Sequence, residues 1–224
     1  MRLRKKKHLD ERLNLSHSCL LLQEGEDFYI KTEEEKKHYF DFNQIFGNSN
    51  PIFLELGCGK GGFAIEMARR LPDINFVAVE KLSNVIVSAC ENAQNSKLTN
   101  VKFLNCDVYN LLYYFLPDTI ERIYLNFSCP FPKNSYSNRR LTNSNFLEIY
   151  RQILKKNGEI HQKTDNAKFF EFSLEQFSMA NYGLKNITLD LHHSQYDCGV
   201  MTEYESHFVA LGKPIYRLEA YKKD

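Results

Sequence analysis

The 224 residues contain no tryptophan, only six prolines and six cysteines, and formal charges that nearly cancel at +1. Each shortage excludes something. No apolar run approaches the roughly 18 residues that a membrane-spanning helix needs. The basic start from Met1 to Lys7 has the look of a secretory leader, but Asp10, Glu11 and Arg12 stand where its apolar stretch belongs. The expected location is therefore the cytoplasm. Cys19, Cys58, Cys90, Cys106, Cys129 and Cys198 are scattered, and no pair has the two-residue spacing of a zinc or redox motif. Free thiols and no metal site are the expectation. No repeat, low-complexity segment or Pro/Gly/Ser linker divides the chain.

What remains is the profile of a soluble globular protein, 43% hydrophobic and 25% charged. Its basic residues are grouped. Arg2, Arg4, Lys5, Lys6 and Lys7 form one group, and Lys133, Arg139 and Arg140 a second. A basic terminus alone reads as a solvated tail; two groups beside a catalytic loop would suit a phosphate backbone. From Pro51 onward, strand and helix patterns alternate. Strands are expected at Ile52–Leu56, Asn75–Glu80, Val101–Cys106, Ile120–Phe127, Glu159–Lys163, Leu184–Leu191 and Ile215–Tyr221. Helices are expected at Phe63–Leu71, Val85–Ala93, Val108–Phe115, from the N-cap Asn143 to Leu154 with Asn157-Gly158 as the exit, Ala167–Met179 and Thr202–Leu211. The expected fold is α/β and Rossmann-like, a mainly parallel doubly wound sheet with an antiparallel last strand. Residues 51–224 would be its domain and residues 1–50 a basic segment packing on it or leading into it.

Sheets of this kind bind ligands beyond the carboxyl ends of their strands. The first predicted strand brings Glu55 and then Gly57, Gly59, Gly61 and Gly62, which let a nucleotide approach the backbone closely. The spacing also satisfies a dinucleotide fingerprint. Glu80 ends the second strand, where a carboxylate accepts ribose hydroxyls, and Asp107 ends the third, within reach of an adenine amino group. Glu55 would repel a pyrophosphate but suits the cationic amino acid end of S-adenosylmethionine, so the three carboxylates favour the methyl donor over a dinucleotide. The fourth strand ends in Asn126-Phe127-Ser128-Cys129-Pro130-Phe131-Pro132-Lys133, where prolines stiffen the backbone and Phe131 offers a face for a base.

Across nearly its whole length the chain resembles the bacterial tRNA (guanine-N7)-methyltransferases. The matching pieces are Glu55 to Gly61, Pro72 to Phe76 leading to Glu80, Leu125 to Ser128, Asn138 to Thr142, Lys163 to Asn166, Met201 to Glu205 and Leu211 to Tyr216. The resemblance implies S-adenosylmethionine as cofactor and tRNA as partner, with methylation at N7 of the guanosine at position 46 of the variable loop. By the same resemblance, Glu55, Gly57, Gly59, Glu80, Asp107 and Cys129 would contact the cofactor. Lys133, Asp165, Thr202, Glu203, Tyr204 and Glu205 would hold the guanosine, and Ser135, Tyr136, Ser137, Asn138, Arg139 and Arg140 would lie against RNA. Cys129 occupies the position of an aspartate that the family treats as catalytic, and Phe131 that of a tryptophan.

Guanine N7 carries an exposed lone pair and no proton, so no base is needed to create the nucleophile, and orientation is the main task. A carboxylate would add orientation through the guanine N1 and N2 hydrogens and stabilise the developing positive charge. A thiol is a weak acceptor, so Cys129 should replace it poorly, with Asp165, Glu203 or Glu205 supplying the charge. A slower enzyme is expected, acting as a monomer or homodimer with no obligatory protein partner. A tRNA-binding homologue of lost activity is the rival. An amino-group methyltransferase, a dinucleotide oxidoreductase and a covalent role for Cys129 are further alternatives. His192-His193 has no partner spacing of a metal site, and Glu33 to His38 reads as a solvated helix face.

Overall fold

Ile52–Leu56 and Asn75–Val79 are buried at every position, the pattern of strands covered on both faces, and the two run parallel. They belong to a computed structural model that describes residues 5–25, 31–196 and 199–223. Contacts group the chain into two units, Met1–Leu116 and Pro117–Asp224. The first contains α1 (Leu9–Asn14), β1 (Leu20–Gln23), α2 (Glu33–Lys36), α3 (Phe42–Phe46), β2 (Ile52–Leu56), α4 (Gly62–Arg70), β3 (Asn75–Val79), α5 (Ser83–Ser96), β4 (Val101–Asn105) and a 3-10 turn, Val108–Tyr113. Its strands lie in the order β1, β4, β3, β2, and all pairings are parallel.

β1 is not foreseen by the sequence reading. It is only four residues long and part-buried, and its pairing with Phe103–Asn105 supplies what its own pattern lacks. Residues before β2 are thereby built into the first unit. The Arg12 fork grips both oxygens of Glu91 at 2.7 and 2.8 Å, and Lys6 bonds Asn84 through its backbone and Ser88 through its ammonium. Lys6 is thus docked on α5, not solvated tail; Arg2 and Arg4 lie outside the described residues, as does Cys198. α2 is shorter than the expected solvated helix face. Capped by Thr32 and Glu35, it ends at Lys36, whose part-buried ammonium lies over Tyr113. His38 lies beyond it and donates its N–H to the Tyr113 carbonyl.

The second unit contains β5 (Ile120–Asn126), a 3-10 turn Asn134–Arg139, α6 (Ser144–Ile153), β6 (Leu154–Thr164), α7 (Ala167–Met179), β7 (Tyr182–Thr188), a 3-10 turn Leu191–His193, α8 (Glu203–Ala210) and β8 (Tyr216–Lys222). Here the order is β5, β6, β8, β7. β5 and β6 are parallel, while β8, the last strand, runs antiparallel to both of its neighbours as expected. Asn143 caps α6 by accepting from the Asn145 N–H at 3.2 Å. Asn157-Gly158 is not the exit of that helix. Buried Leu154 already pairs with Ile120, and the pairing of β6 then skips to Glu159, which leaves Asn157 with a φ of 65° inside the strand's irregular start. The expected helix at Val108 is a 3-10 turn, tightened by the Asp107 carboxylate accepting from the Tyr109 N–H at 3.1 Å.

Across β5, β6, β8 and β7 runs an ionic network. Glu159 accepts from Arg122, His161 and Lys185, and Glu219 from Arg217 and Asn186. The ligating atoms of Glu159, His161 and Glu219 lie within 4.8 Å of one another. The carboxylates, however, already face three cationic side chains, Arg122, Lys185 and Arg217. The bond from His161, with Lys185 and Arg122 behind it, holds Glu159 far below the usual carboxylate range, and burial lowers His161. In both cases the unfolded chain binds more protons in acid than the folded one, so this contribution to stability falls as pH drops. His161 acts from about pH 6.5 downward and Glu159 from about pH 4 downward. Glu159→Gln is expected to lower stability at neutral pH by about 1 kcal/mol, discounted for partial exposure. The gap from wild type should narrow in acid, as chemical denaturation at pH 7 and pH 3 would measure.

Candidate functional site

In the first unit, β2 gives way to a loop whose backbone folds across the end of β3. Gly57 N–H and Cys58 N–H both donate to the Val79 carbonyl, at 2.8 and 3.0 Å. Gly57 and Gly59 have φ of +77° and +58°, a left-handed backbone that only glycine adopts readily, and a Cβ at either would meet nothing within 4 Å. The loop therefore turns bare backbone toward open space. Gly61 differs: its Cβ would meet Ala89 Cβ and Phe103 Cε1 at 3.0 Å, so it serves helix packing. Glu80 follows β3 and accepts from Gly59 N–H at 3.3 Å and Leu82 N–H at 2.9 Å. Burial raises the pKa of Glu80 despite those bonds. Glu55, only 3% exposed, and Glu80 together push the buried Cys58 thiol further above its ordinary range, after burial itself.

Asp107 follows β4 and pairs with Lys81. Two residues that the sequence reading missed hold this corner. Asn105, buried, donates to the carbonyls of Glu80 and Lys81 at 2.8 and 3.0 Å. Glu24 accepts from the Asp107 N–H at 3.2 Å, from Asn110 and from Tyr114. The five first-unit residues expected at the cofactor, Glu55, Gly57, Gly59, Glu80 and Asp107, thus occupy neighbouring strand exits. Bare backbone edged by carboxylates suits hydroxyl donors and positive charge, and opposes a pyrophosphate.

In the second unit, β5 ends at buried Asn126. Phe127 turns sharply, with a φ of 50°, and its N–H is taken by the Lys163 carbonyl at 2.9 Å. The proline loop beyond it is held from inside. Arg140, 8% exposed, donates to the carbonyls of Pro130 at 2.9 Å and Phe131 at 3.0 Å and rests its guanidinium on Phe172. Of the predicted RNA-facing residues, Arg140 is therefore a clamp with little surface. Lys133, Ser135, Tyr136, Asn138 and Arg139 are exposed and Ser137 is half-buried. Arg139 lies over the Phe131 ring at 4.6 Å, so one face of the expected stacking surface is already covered. Between the loop and α7 is a groove of about 570 Å³, lined in part by Pro130, Pro132, Asn166 and Phe172.

Cys129 is exposed, whereas the other four described cysteines, also free, are buried. Burial, with Asp165 and Cys129 nearby, raises the Tyr204 hydroxyl, and the Tyr204 ring lies 5.3 Å from that of Phe127. Asp165 and Cys129 thus act electrostatically on Tyr204, and Phe127 is an unforeseen neighbour of its ring. Thr202 and Glu205 form a capping box at the start of α8. Glu203 is exposed, but Glu205 is 0% exposed and faces Lys163 and His192, neither of which the sequence reading singled out as a site residue. Only the rule that a buried carboxylate needs partners could have pointed to them.

Solved methyltransferases share this architecture. The 16S rRNA methyltransferase KamB superposes with a TM-score of 0.63 at 13% identity, covering 84% of this chain and 96% of that one. An antibiotic-related methyltransferase superposes with a TM-score of 0.59 at 15% identity, over 82% and 93%. The fold is therefore the Rossmann-like α/β fold of methyltransferases, and the family model described as "Putative methyltransferase" matches residues 49–218. A tRNA (guanine-N(7)-)-methyltransferase of Clostridioides difficile (strain 630) is 46% identical over all 224 residues, the whole of both chains. One of Bacillus subtilis (strain 168) is 46% identical over 198 residues, covering 88% of this chain and 92% of that relative. The chain belongs to the tRNA (guanine-N(7)-)-methyltransferase family.

The clamp has a measurable consequence. Arg140→Ala leaves two loop carbonyls without their charged donor and should cost about 2 kcal/mol. Amide exchange should quicken across residues 127–134. Arg140→Lys should restore little, because a point-like ammonium does not reproduce the fork. Unchanged exchange in Arg140→Ala would show that the loop is held some other way.

Proposed function

We propose that the chain transfers a methyl group from S-adenosylmethionine to N7 of a guanosine in the variable loop of tRNA. The observation that carries this reading is the full-length match to relatives bearing that activity in their names. The first-unit site fits the donor. The carboxylates of Glu55 and Glu80 suit its cationic amino acid end and its ribose, Asp107 suits the adenine amino group, and Gly57 and Gly59 let it approach the backbone. When bound, the donor supplies an activated methyl group. Residues 51–224 form the methyltransferase domain, and residues 1–50 the basic segment leading into it. The protein works in the cytoplasm as a monomer or homodimer without an obligatory protein partner; among the described residues no helix is long and apolar enough to cross a membrane.

On the acceptor side, Asp165 and Tyr204 hold the guanine with Cys129, while Lys133, Tyr136 and Arg139 meet the phosphate backbone. The rest of the turn from Ser135 to Asn138 supports that contact. Asp165, a half-buried carboxylate, supplies the negative charge that Cys129 does not and so stabilises the ring as it becomes cationic. A second reading, tRNA binding with little methyl transfer, is favoured by the exposed thiol of Cys129, a residue that the resemblance places where an aspartate is expected.

Purified protein given methyl-labelled donor and unmodified tRNA is expected to produce labelled N7-methylguanosine, identified by nucleoside mass spectrometry. Cys129→Asp should raise kcat by about tenfold, the equivalent of ~1.4 kcal/mol of charge stabilisation. Absence of product at enzyme concentrations matching tRNA, with tRNA binding intact, would establish the second reading instead. Glu80→Ala should weaken S-adenosylhomocysteine by about tenfold, the effect of one lost charged hydrogen bond, and leave tRNA binding in place. A nicotinamide cofactor that stabilises the protein against heat where S-adenosylhomocysteine does not would overturn both.

A further inference from the structure

Glu205 sits three residues into α8 with no exposed surface, and its carboxylate is surrounded. The Lys163 ammonium lies 3.3 Å from each of its oxygens, His192 Nε2 lies 3.2 Å from Oε1, and the Thr202 N–H donates to Oε2 at 3.2 Å. The same ammonium also donates to the Val200 carbonyl at 3.1 Å. Through these bonds the ammonium holds both ends of one segment, Val200 and Glu205.

Lys163 reaches other pieces through its backbone. It pairs with Asn126 in the ladder of β5 and β6, its carbonyl takes the Phe127 N–H, and Asp165 is two residues further along the chain. One side chain thus ties the turn bearing Tyr204 to the strand ends bearing Phe127 and Asp165. Stability alone is a poor reason for this arrangement, since a buried ion pair is commonly matched or exceeded by apolar residues of the same volume. What an ion pair adds is a fixed geometry.

We infer that Lys163, through Glu205, is a positioning residue that sets the Thr202–Glu205 turn for the acceptor guanosine, and that Glu205 acts as a buried anchor and does not touch the substrate. His192, in the turn after β7, places its Nε2 3.2 Å from the same carboxylate. This rests on the acceptor reading proposed above and departs from the expectation that Glu205 itself holds guanosine.

Two variants of the full chain test it. Lys163→Met breaks the pair, and Lys163→Met with Glu205→Leu replaces it by apolar volume so that the interior is not left with a lone charge. S-adenosylhomocysteine affinity by calorimetry reports whether the first unit is intact. Both variants are expected to keep that affinity within about twofold while kcat/KM for tRNA falls by about a hundredfold, the usual effect of a misplaced reacting geometry. Lys163→Arg, which keeps the charge, should recover most of the loss. Wild-type kcat/KM for tRNA in the apolar double variant would overturn the inference, and so would parallel loss of cofactor and tRNA handling in both variants. If wild-type protein makes no N7-methylguanosine, the proposed function fails first, which the same assay separates from failure of the positioning role.

Discussion

A strand that leaves a parallel sheet must hand its backbone hydrogen bonds to something else within a residue or two, because unpaired buried N–H and carbonyl groups are costly. The site geometry depends on how that handover is made. After β2, Gly57 and Cys58 both give their N–H groups to Val79. After β3, Glu80 gives its N–H to Leu104, while its side chain takes the N–H groups of Gly59 and Leu82. After β5, Phe127 gives its N–H to Lys163, and the carbonyls of Pro130 and Phe131 are met by Arg140. Side chains that could have faced a ligand are in several cases occupied with this task. In one unit Cys129 is exposed and Asp165 half-buried, and in the other Gly57 and Gly59 leave open space beside the backbone.

Charge follows the same economy. In the first unit Asp107 is neutralised by Lys81, whereas burial works against the charge on Glu80 and only backbone dipoles oppose it. Ribose hydroxyls donating to Glu80 would relieve part of that cost, and Glu55, placed at the cationic end, is what gives the proposed donor an advantage over an anionic dinucleotide. In the second unit charges are paired off, Glu205 with Lys163 in the interior and Glu159 with Arg122 and Lys185 nearer the surface. Among the exposed basic residues of this unit, Lys133 and Arg139 lie on the proline loop and the turn after it. A net charge of +1 therefore hides a local distribution suited to a polyanion.

Most strands and helices after Pro51 were legible because their apolar periods are long and their caps conventional: Asn143 and Thr202 announce α6 and α8, and Ala167–Met179 was read to the residue. β1 was not legible, since a four-residue, half-buried strand has no period to detect and depends on β4. Asn157-Gly158 misled because a turn dipeptide after a helix usually ends it, whereas here Leu154 had already begun β6. At the site, residues with exposed chemistry were visible in the motifs. Glu24 and Asn105 were not, and the motif containing Lys163 did not reveal its role, because their importance lies in which distant groups they satisfy, and no local pattern encodes that. Arg140 shows the opposite failure: the motif identified it, but composition could not tell a clamp from an RNA contact.

If Cys129 stands where the resemblance places an aspartate, the exchange is easier to accommodate for the proposed reaction than for most. Where a base must remove a proton to create the nucleophile, exchanging carboxylate for thiol deletes a step. Guanine N7 needs no deprotonation, so in the proposed reaction the exchange removes only an acceptor and a negative charge. Tyr204 feels both Asp165 and Cys129, which puts a second carboxylate in the same electrostatic neighbourhood as the thiol. The rate then depends less on Cys129 itself than on how rigidly Asp165 and Tyr204 are held. That rigidity comes from the buried pair beneath them, so a substitution on the surface shifts the demand for geometry onto Lys163 and Glu205.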